Sequence, residues 1–93
     1  MLTLYSKNNC GYCLQAKGLL RNNDIPFEEI NIDTDDVARE FVINEGHRTM
    51  PQIYRDGKLF VEGGFTGLQT LGVEAIKEQL GTATVDVGSL GSL

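Results

Sequence analysis

Two thiols, Cys10 and Cys13, stand one helical turn apart in Cys10-Gly11-Tyr12-Cys13, shortly after the β-prone stretch Leu2-Thr3-Leu4-Tyr5. They are the chain's only cysteines. A thiol placed where a strand hands over to a helix N-terminus meets unpaired backbone N–H groups and the positive end of the helix dipole, which favour thiolate over thiol. Cys10 then becomes a nucleophile near neutral pH, and Cys13 is placed to resolve what Cys10 attacks. The pair points to thiol–disulfide exchange. A structural staple fits poorly, because a disulfide closing so short a loop takes little entropy from the unfolded chain. Zinc fits poorly too, since it needs about four ligands and His47, the one histidine, is the only residue that could join the thiols. His47 itself reads as a surface residue near a helix end.

The elements that must hold these thiols follow from periodicity. Leu2-Thr3-Leu4-Tyr5 is a first strand running into the polar loop Ser6-Lys7-Asn8-Asn9. Leu14, Ala16, Leu19 and Leu20 fall near helical spacing, with Lys17 and Arg21 on the other side, which predicts a helix from Cys13 to the Asn22-Asn23-Asp24 stop. Pro26 opens an extended stretch in which Phe27, Ile30 and Ile32 mix with Glu28, Glu29 and Asn31, a second strand parallel to the first. Thr34 or Asp33 is expected to cap a second helix bearing Val37, Phe41 and Val42 and closing at Gly46. Asp56-Gly57 between Gln52-Ile53-Tyr54-Arg55 and Lys58-Leu59-Phe60-Val61 signals a hairpin with a tight two-residue turn. After Gly63-Gly64, the spacing of Leu68, Leu71, Ala75, Ile76 and Leu80 predicts one final helix, weakened locally by Gly72.

At 93 residues the chain holds one domain, expected over 1–81, followed over 82–93 by a stretch without helical period that reads as a flexible tail or an added strand. Hydrophobic residues at 41% and charged ones at 23% suit a globular domain. No apolar run approaches the roughly 20 residues of a membrane span, and the start lacks the basic and apolar regions of a secretory signal. The expectation is a cytoplasmic protein with no membrane association. Thirteen acidic against eight basic residues, net −5 and without a basic stripe, argue against nucleic-acid binding. Glu28, Glu29, Asp33, Asp35 and Asp36 form an acidic region that either selects a basic client surface or is simply a solvated face.

Cys-x-x-Cys after the first strand, Thr49-Met50-Pro51 before the third and Gly63-Gly64 after the fourth together resemble the glutaredoxin family, over roughly residues 1–80. The resemblance implies an α/β, thioredoxin-like fold: a four-stranded mixed sheet in the order β-α-β-α-β-β-α with helices on both faces. It also implies a glutathione-dependent thiol–disulfide oxidoreductase that reduces protein disulfides and glutathione mixed disulfides. Cys10 would attack and Cys13 resolve. Lys7, three residues before Cys10, would favour the thiolate and meet a glutathione carboxylate, and Tyr12 would cover the bound tripeptide. Met50-Pro51 would be the family's cis-proline loop, since only an X-Pro bond takes the cis form cheaply, with Thr49 and Met50 offering a main-chain edge to the glutathione cysteine. Arg48 is either a carboxylate partner or a surface arginine. Gly63, Gly64, Phe65 and Thr66 would receive the γ-glutamyl carboxylate at a helix start.

Two departures from the family pattern stand out. Thr66 lies where an acidic residue usually meets the γ-glutamyl amine, which puts the strength of glutathione binding in question. Gly11 stands where many dithiol members carry proline, and such a site can change redox poise or, in a dimer, let Cys10 and two external glutathione thiols hold a [2Fe–2S] cluster. The alternatives are therefore a cluster carrier or sensor, or a glutaredoxin-like donor reduced by thioredoxin reductase. The implied partners are glutathione and disulfide-containing clients, ribonucleotide reductase among them, and the expected state is a monomer.

Overall fold

The structure is a computed structural model that describes residues 1–80. The tail expected over 82–93 lies outside the described residues. β1 (Leu2–Ser6) is the strand on which the sheet is built, with Leu2, Leu4 and Ser6 almost wholly buried. It pairs in parallel with β2 (Phe27–Asn31) and antiparallel with β3 (Gln52–Arg55), and β4 (Lys58–Val61) pairs with β3, giving the order β2-β1-β3-β4. The predicted hairpin turn is present: Asp56 at φ 51° and Gly57 at φ 80° supply the two positive angles that a right-twisted pair of strands needs.

The alternation of β1 divides the core. On one face Leu2, Leu4 and Ile53 pack against Ala16 and Leu20 of α1 (Gly11–Asn22), Leu68 of α3 (Gly64–Leu71) and Ile76 of α4 (Val73–Gln79). On the other, Ile32, Ala38, Val42 and Met50 gather around Cys13, with Ala38 and Val42 coming from α2 (Asp36–Asn44). Tyr5, Phe41 and Tyr54 stack there through tilted and edge contacts at 5.1–5.6 Å. Helices thus cover both faces, in the order expected of a thioredoxin-like fold.

Local chemistry moves three boundaries from their predicted places. α1 begins at Gly11 because Cys10 itself is the cap. α2 is capped by Asp35, whose Oδ1 accepts the Ala38 N–H at 3.0 Å, and not by Thr34 or Asp33. Its far end closes in a Schellman arrangement, with the Gly46 N–H on the Ile43 carbonyl and the His47 N–H on the Val42 carbonyl. The single last helix is in fact two. Gly72 at φ 88°, ψ 148° breaks it, ending α3 through its N–H to Leu68 and starting α4 through its carbonyl to Ile76. The apolar spacing runs across the break, so periodicity alone reports one helix.

Gly67 lets α3 close onto the end of the hairpin. A Cβ there would run into the Glu62 carbonyl oxygen, with the Val61 side chain also 3.2 Å away. Gly18, inside α1, has nothing within 4 Å of such a Cβ. Gly67→Ala is therefore expected to cost about 1–3 kcal/mol by overpacking, whereas Gly18→Ala should gain up to about 1 kcal/mol of helix propensity. Thermal melts of the two variants check the contrast, at roughly 4–8 °C per kcal/mol for a domain of this size; an unchanged midpoint for Gly67→Ala would mean that α3 can shift away without cost.

Candidate active site

β1 releases the chain into the loop of Lys7, Asn8 and Asn9, and Asn9 turns it at φ 55° so that Cys10 meets the start of α1 in extended conformation, φ −119°, ψ 103°. The Cys10 Sγ accepts the Cys13 N–H at 3.2 Å and, as a thiol, donates to the Met50 carbonyl at 3.5 Å. No acidic residue occupies the first turn of α1 to oppose a thiolate there. Cys10 is half-buried and Cys13 buried, both as free thiols. The more accessible sulfur lies at the helix end that favours its charge.

The third element is the loop before β3. The Met50-Pro51 peptide is cis, Gln52 donates from Nε2 to the Thr49 carbonyl at 2.8 Å, and the Gln52 side chain is itself buried. The last β1–β3 pair is Tyr5 with Gln52, so Thr49 and Met50 lie beyond the register, beside the thiols. Gly64 supports this loop from below: it sits at φ 56°, and a Cβ there would collide with the Pro51 carbonyl oxygen. Its role is close packing against the cis-proline loop.

Tyr12 of α1, Thr49, Met50 and Pro51 of the loop, and Gly63, Phe65 and Thr66 at the start of α3 line one groove of about 240 Å³. The Tyr12 and Phe65 rings face each other at 6.3 Å. Lys7 lines a different pocket of about 310 Å³, shared with Cys10, Cys13, Lys17 and Glu29. Arg48 is exposed and lines neither. Tyr12 lines the groove, which has no charged side chain, and Cys10 lines the pocket, which has three.

Two groupings escaped the sequence. The sequence places Lys17 on the polar side of its helix and Glu29 in an acidic region, without pairing them, yet Lys17 Nζ lies 2.9 Å from Glu29 Oε2, which also accepts from Ser6 Oγ at 2.8 Å. The Lys17 hydrogen bond, with help from Ser6 and against burial, holds the Glu29 carboxyl below its ordinary value of 4.5. The available signal was the i, i+4 spacing of Cys13 and Lys17, which puts both on one face of α1. His47, expected at the surface, is half-buried instead, with Nε2 2.7 Å from the Tyr54 hydroxyl. That hydroxyl donates to Glu45 Oε1 at 3.0 Å, so the His47 Nε2 is the donor to Tyr54. Burial and the Glu45 carboxylate push the Tyr54 phenol up to about 12.

A thiolate cluster was among the alternatives from sequence. Among the described residues no group of three or more His, Cys, Asp or Glu comes together to hold a metal ion. The two thiols of one chain would need ligands from outside it.

The Glu29 pair carries a pH signature. A carboxyl held below its unfolded value contributes stability that is complete above about pH 4.5 and is lost as pH falls through the folded value. Glu29→Gln should lower the urea midpoint at neutral pH and converge on the wild type in acid. Partial exposure of the pair, 15% and 30%, keeps the difference small. A difference that persists unchanged in acid would place its cause in packing.

The geometry agrees with what comparison finds. The family model "Glutaredoxin" matches residues 2–60. The chain is 45% identical over 60 residues to the glutaredoxin-like protein NrdH of Lactococcus lactis, covering 64% of this chain and 83% of that one. Among solved structures, glutaredoxin 1 from Francisella tularensis, complexed with cacodylate, superposes with TM-score 0.63 at 30% identity, over 81% of this chain and 94% of that one. The NrdH-redoxin of Escherichia coli, described as glutaredoxin-like with a thioredoxin-like activity profile, superposes with TM-score 0.56 at 31% identity, over 58% and 71%. The matched span runs through the thiol pair, the cis-proline loop and all but the last residue of the fourth strand, and the chain belongs to the glutaredoxin family.

Proposed function

We propose that this oxidoreductase is glutathione-dependent and reduces protein disulfides and glutathione mixed disulfides through Cys10 and Cys13. The observation that carries the reading is the groove beside Cys10, where the main chain of Thr49 and Met50 runs beyond the sheet register next to the nucleophilic sulfur. A glutathione cysteine pairing with that edge as a short strand would bring its sulfur to Cys10. Tyr12 and Phe65 wall the groove, the first N–H groups of α3 suit a γ-glutamyl carboxylate, and Thr66 offers a hydroxyl. Lys7 and Arg48 supply positive charge from outside it.

The chemistry runs in balanced steps. The Cys10 thiolate attacks a client disulfide, forming a mixed disulfide and releasing one client thiolate, which takes a proton from solvent. Cys13, deprotonated, attacks the Cys10 sulfur, releasing the second client thiolate and leaving the Cys10–Cys13 disulfide. One glutathione thiolate opens that disulfide, and a second removes the first as glutathione disulfide. A glutathionylated client needs only Cys10. Ribonucleotide reductase, whose active-site disulfide small dithiol proteins reduce back to a dithiol, is a client of suitable chemistry.

A second reading, reduction by thioredoxin reductase, draws on two observations. The groove has no charged side chain, with Thr66 where the family commonly has an acid, and the E. coli NrdH-redoxin is described as having a thioredoxin-like activity profile. The Gly11-linked cluster reading has no such support.

NADPH oxidation, measured with glutathione and glutathione reductase or with thioredoxin reductase, decides between the two donors. Turnover of a small mixed disulfide only in the glutathione system is expected; turnover only with thioredoxin reductase would replace the proposal with the second reading. Cys10→Ser should abolish activity in either system, while Cys13→Ser should lose protein-disulfide reduction and keep removal of glutathione. Thr66→Asp should lower the KM for glutathione by about two- to fivefold, the worth of one exposed ion pair. An unchanged KM would place the γ-glutamyl amine elsewhere.

A further inference from the structure

α1 opens on an unusual cap. A sulfur is a weaker acceptor than the oxygens of Ser, Asp or Asn that ordinarily hold a helix start, so the Cys10–Cys13 contact does little by itself to fix where the Cys10 sulfur stands. Apart from its 3.5 Å contact with the Met50 carbonyl, its position depends on the loop that delivers it from upstream.

That loop is tied down by a closed ring. The Asn8 main-chain N–H donates to Asp33 Oδ2 at 2.8 Å, the Asp33 main-chain N–H donates to Asn31 Oδ1 at 2.8 Å, and Asn31 Nδ2 donates back to Asn8 Oδ1 at 3.0 Å. The ring begins where sheet pairing ends. Asn31 is the last residue of β2 and pairs with Ser6, and the Ile32 N–H on the Ser6 carbonyl is the final rung between the two strands. Beyond it the ring holds the segments together, two residues before the nucleophile. Arg39 of α2 takes the other Asp33 oxygen at 3.0 Å and anchors the ring to the helix.

We propose that Asn8, Asn31 and Asp33 are positioning residues for Cys10, a clamp that fixes the Asn8–Asn9 turn so that the sulfur stays against the Cys13 N–H. Cys10 as the attacking thiol, as in the function proposed above, is the premise. Electrostatics alone would not select a carboxylate here, because a negative charge near Cys10 disfavours its thiolate. The charged side chains around the thiols are Lys7, Lys17 and Glu29 in the shared pocket, with the Asp33–Arg39 pair beyond them; α3 and the cis-proline loop add none to the groove. Asp33 is there for its geometry, with Arg39 offsetting its charge.

This gives opposite signs for the two possible roles. Iodoacetamide alkylation of Cys10 is followed against pH in the full chain, with the modified residue located by mass spectrometry. If Asp33 acts by position, Asp33→Ala frees the loop, weakens the N–H to sulfur contact and raises the alkylation midpoint, by about one pH unit, or roughly tenfold slower reaction below it. If Asp33 acts only as a charge, Asp33→Ala leaves the midpoint unchanged or lowers it, and the proposal is overturned. Asp33→Asn keeps an acceptor for the Asn8 N–H and is expected to keep or lower the midpoint; a rise equal to that of alanine would overturn the clamp. Should Asp33→Ala fail to fold, Asn8→Ala removes only the side-chain rung, and it must raise the midpoint for the proposal to stand. A wild-type midpoint near ~8.5, the value of an ordinary thiol, would instead remove the premise that Cys10 is the activated thiol, and the clamp with it.

Discussion

The 3.2 Å approach of the Cys13 N–H to the Cys10 sulfur sets two requirements at once. The sulfur must stay at the start of α1, where the helix favours negative charge, and it must remain open to a disulfide arriving from outside. A sulfur buried like Cys13 would satisfy only the first. The chain meets both by burying the second thiol among Ile32, Ala38, Val42 and Met50 while leaving the first half-covered beneath the Met50 carbonyl. Reactivity therefore depends on parts that never touch a substrate: the strand that ends at Ser6, the loop that turns at Asn9, and the proline loop opposite.

The proline loop shows how far that dependence reaches. Thr49 is held by a buried Gln52, Pro51 rests on Gly64, and α3 can approach because Gly67 has no side chain to meet Glu62. Two glycines of one short helix thus decide how close the hairpin end, the proline loop and α1 come. Shifting α3 by the width of a methyl group would change the groove before it changed the sheet.

Much of this was legible in the sequence because it is local. Asp56-Gly57 specifies its own turn, the alternation of β1 specifies its faces, and the thiol, proline and glycine motifs bring seven of the residues named from them into a single groove. What the sequence hid is set by contacts across the fold. Asp33 looked like a helix cap but is claimed by Asn8, leaving the cap to Asp35. His47 looked solvated but meets a tyrosine from β3, and Lys17 finds a glutamate on β2. The break at Gly72 left no mark on the apolar spacing. Lys7 and Arg48, named through the family pattern, do not line the groove, since a long exposed side chain has no position that a motif can fix.

The placement of the tyrosines has an optical consequence. The chain has three tyrosines and no tryptophan, and Tyr5 and Tyr54 are packed with Phe41 on the α2 face of the sheet. Tyr12, 62% exposed between the two cysteines, is the one tyrosine that faces solvent, and it stands in the wall of the groove. Its share of the chain's ultraviolet emission therefore arises in the wall of the groove, whereas that of Tyr5 and Tyr54 arises from the aromatic cluster on the α2 face.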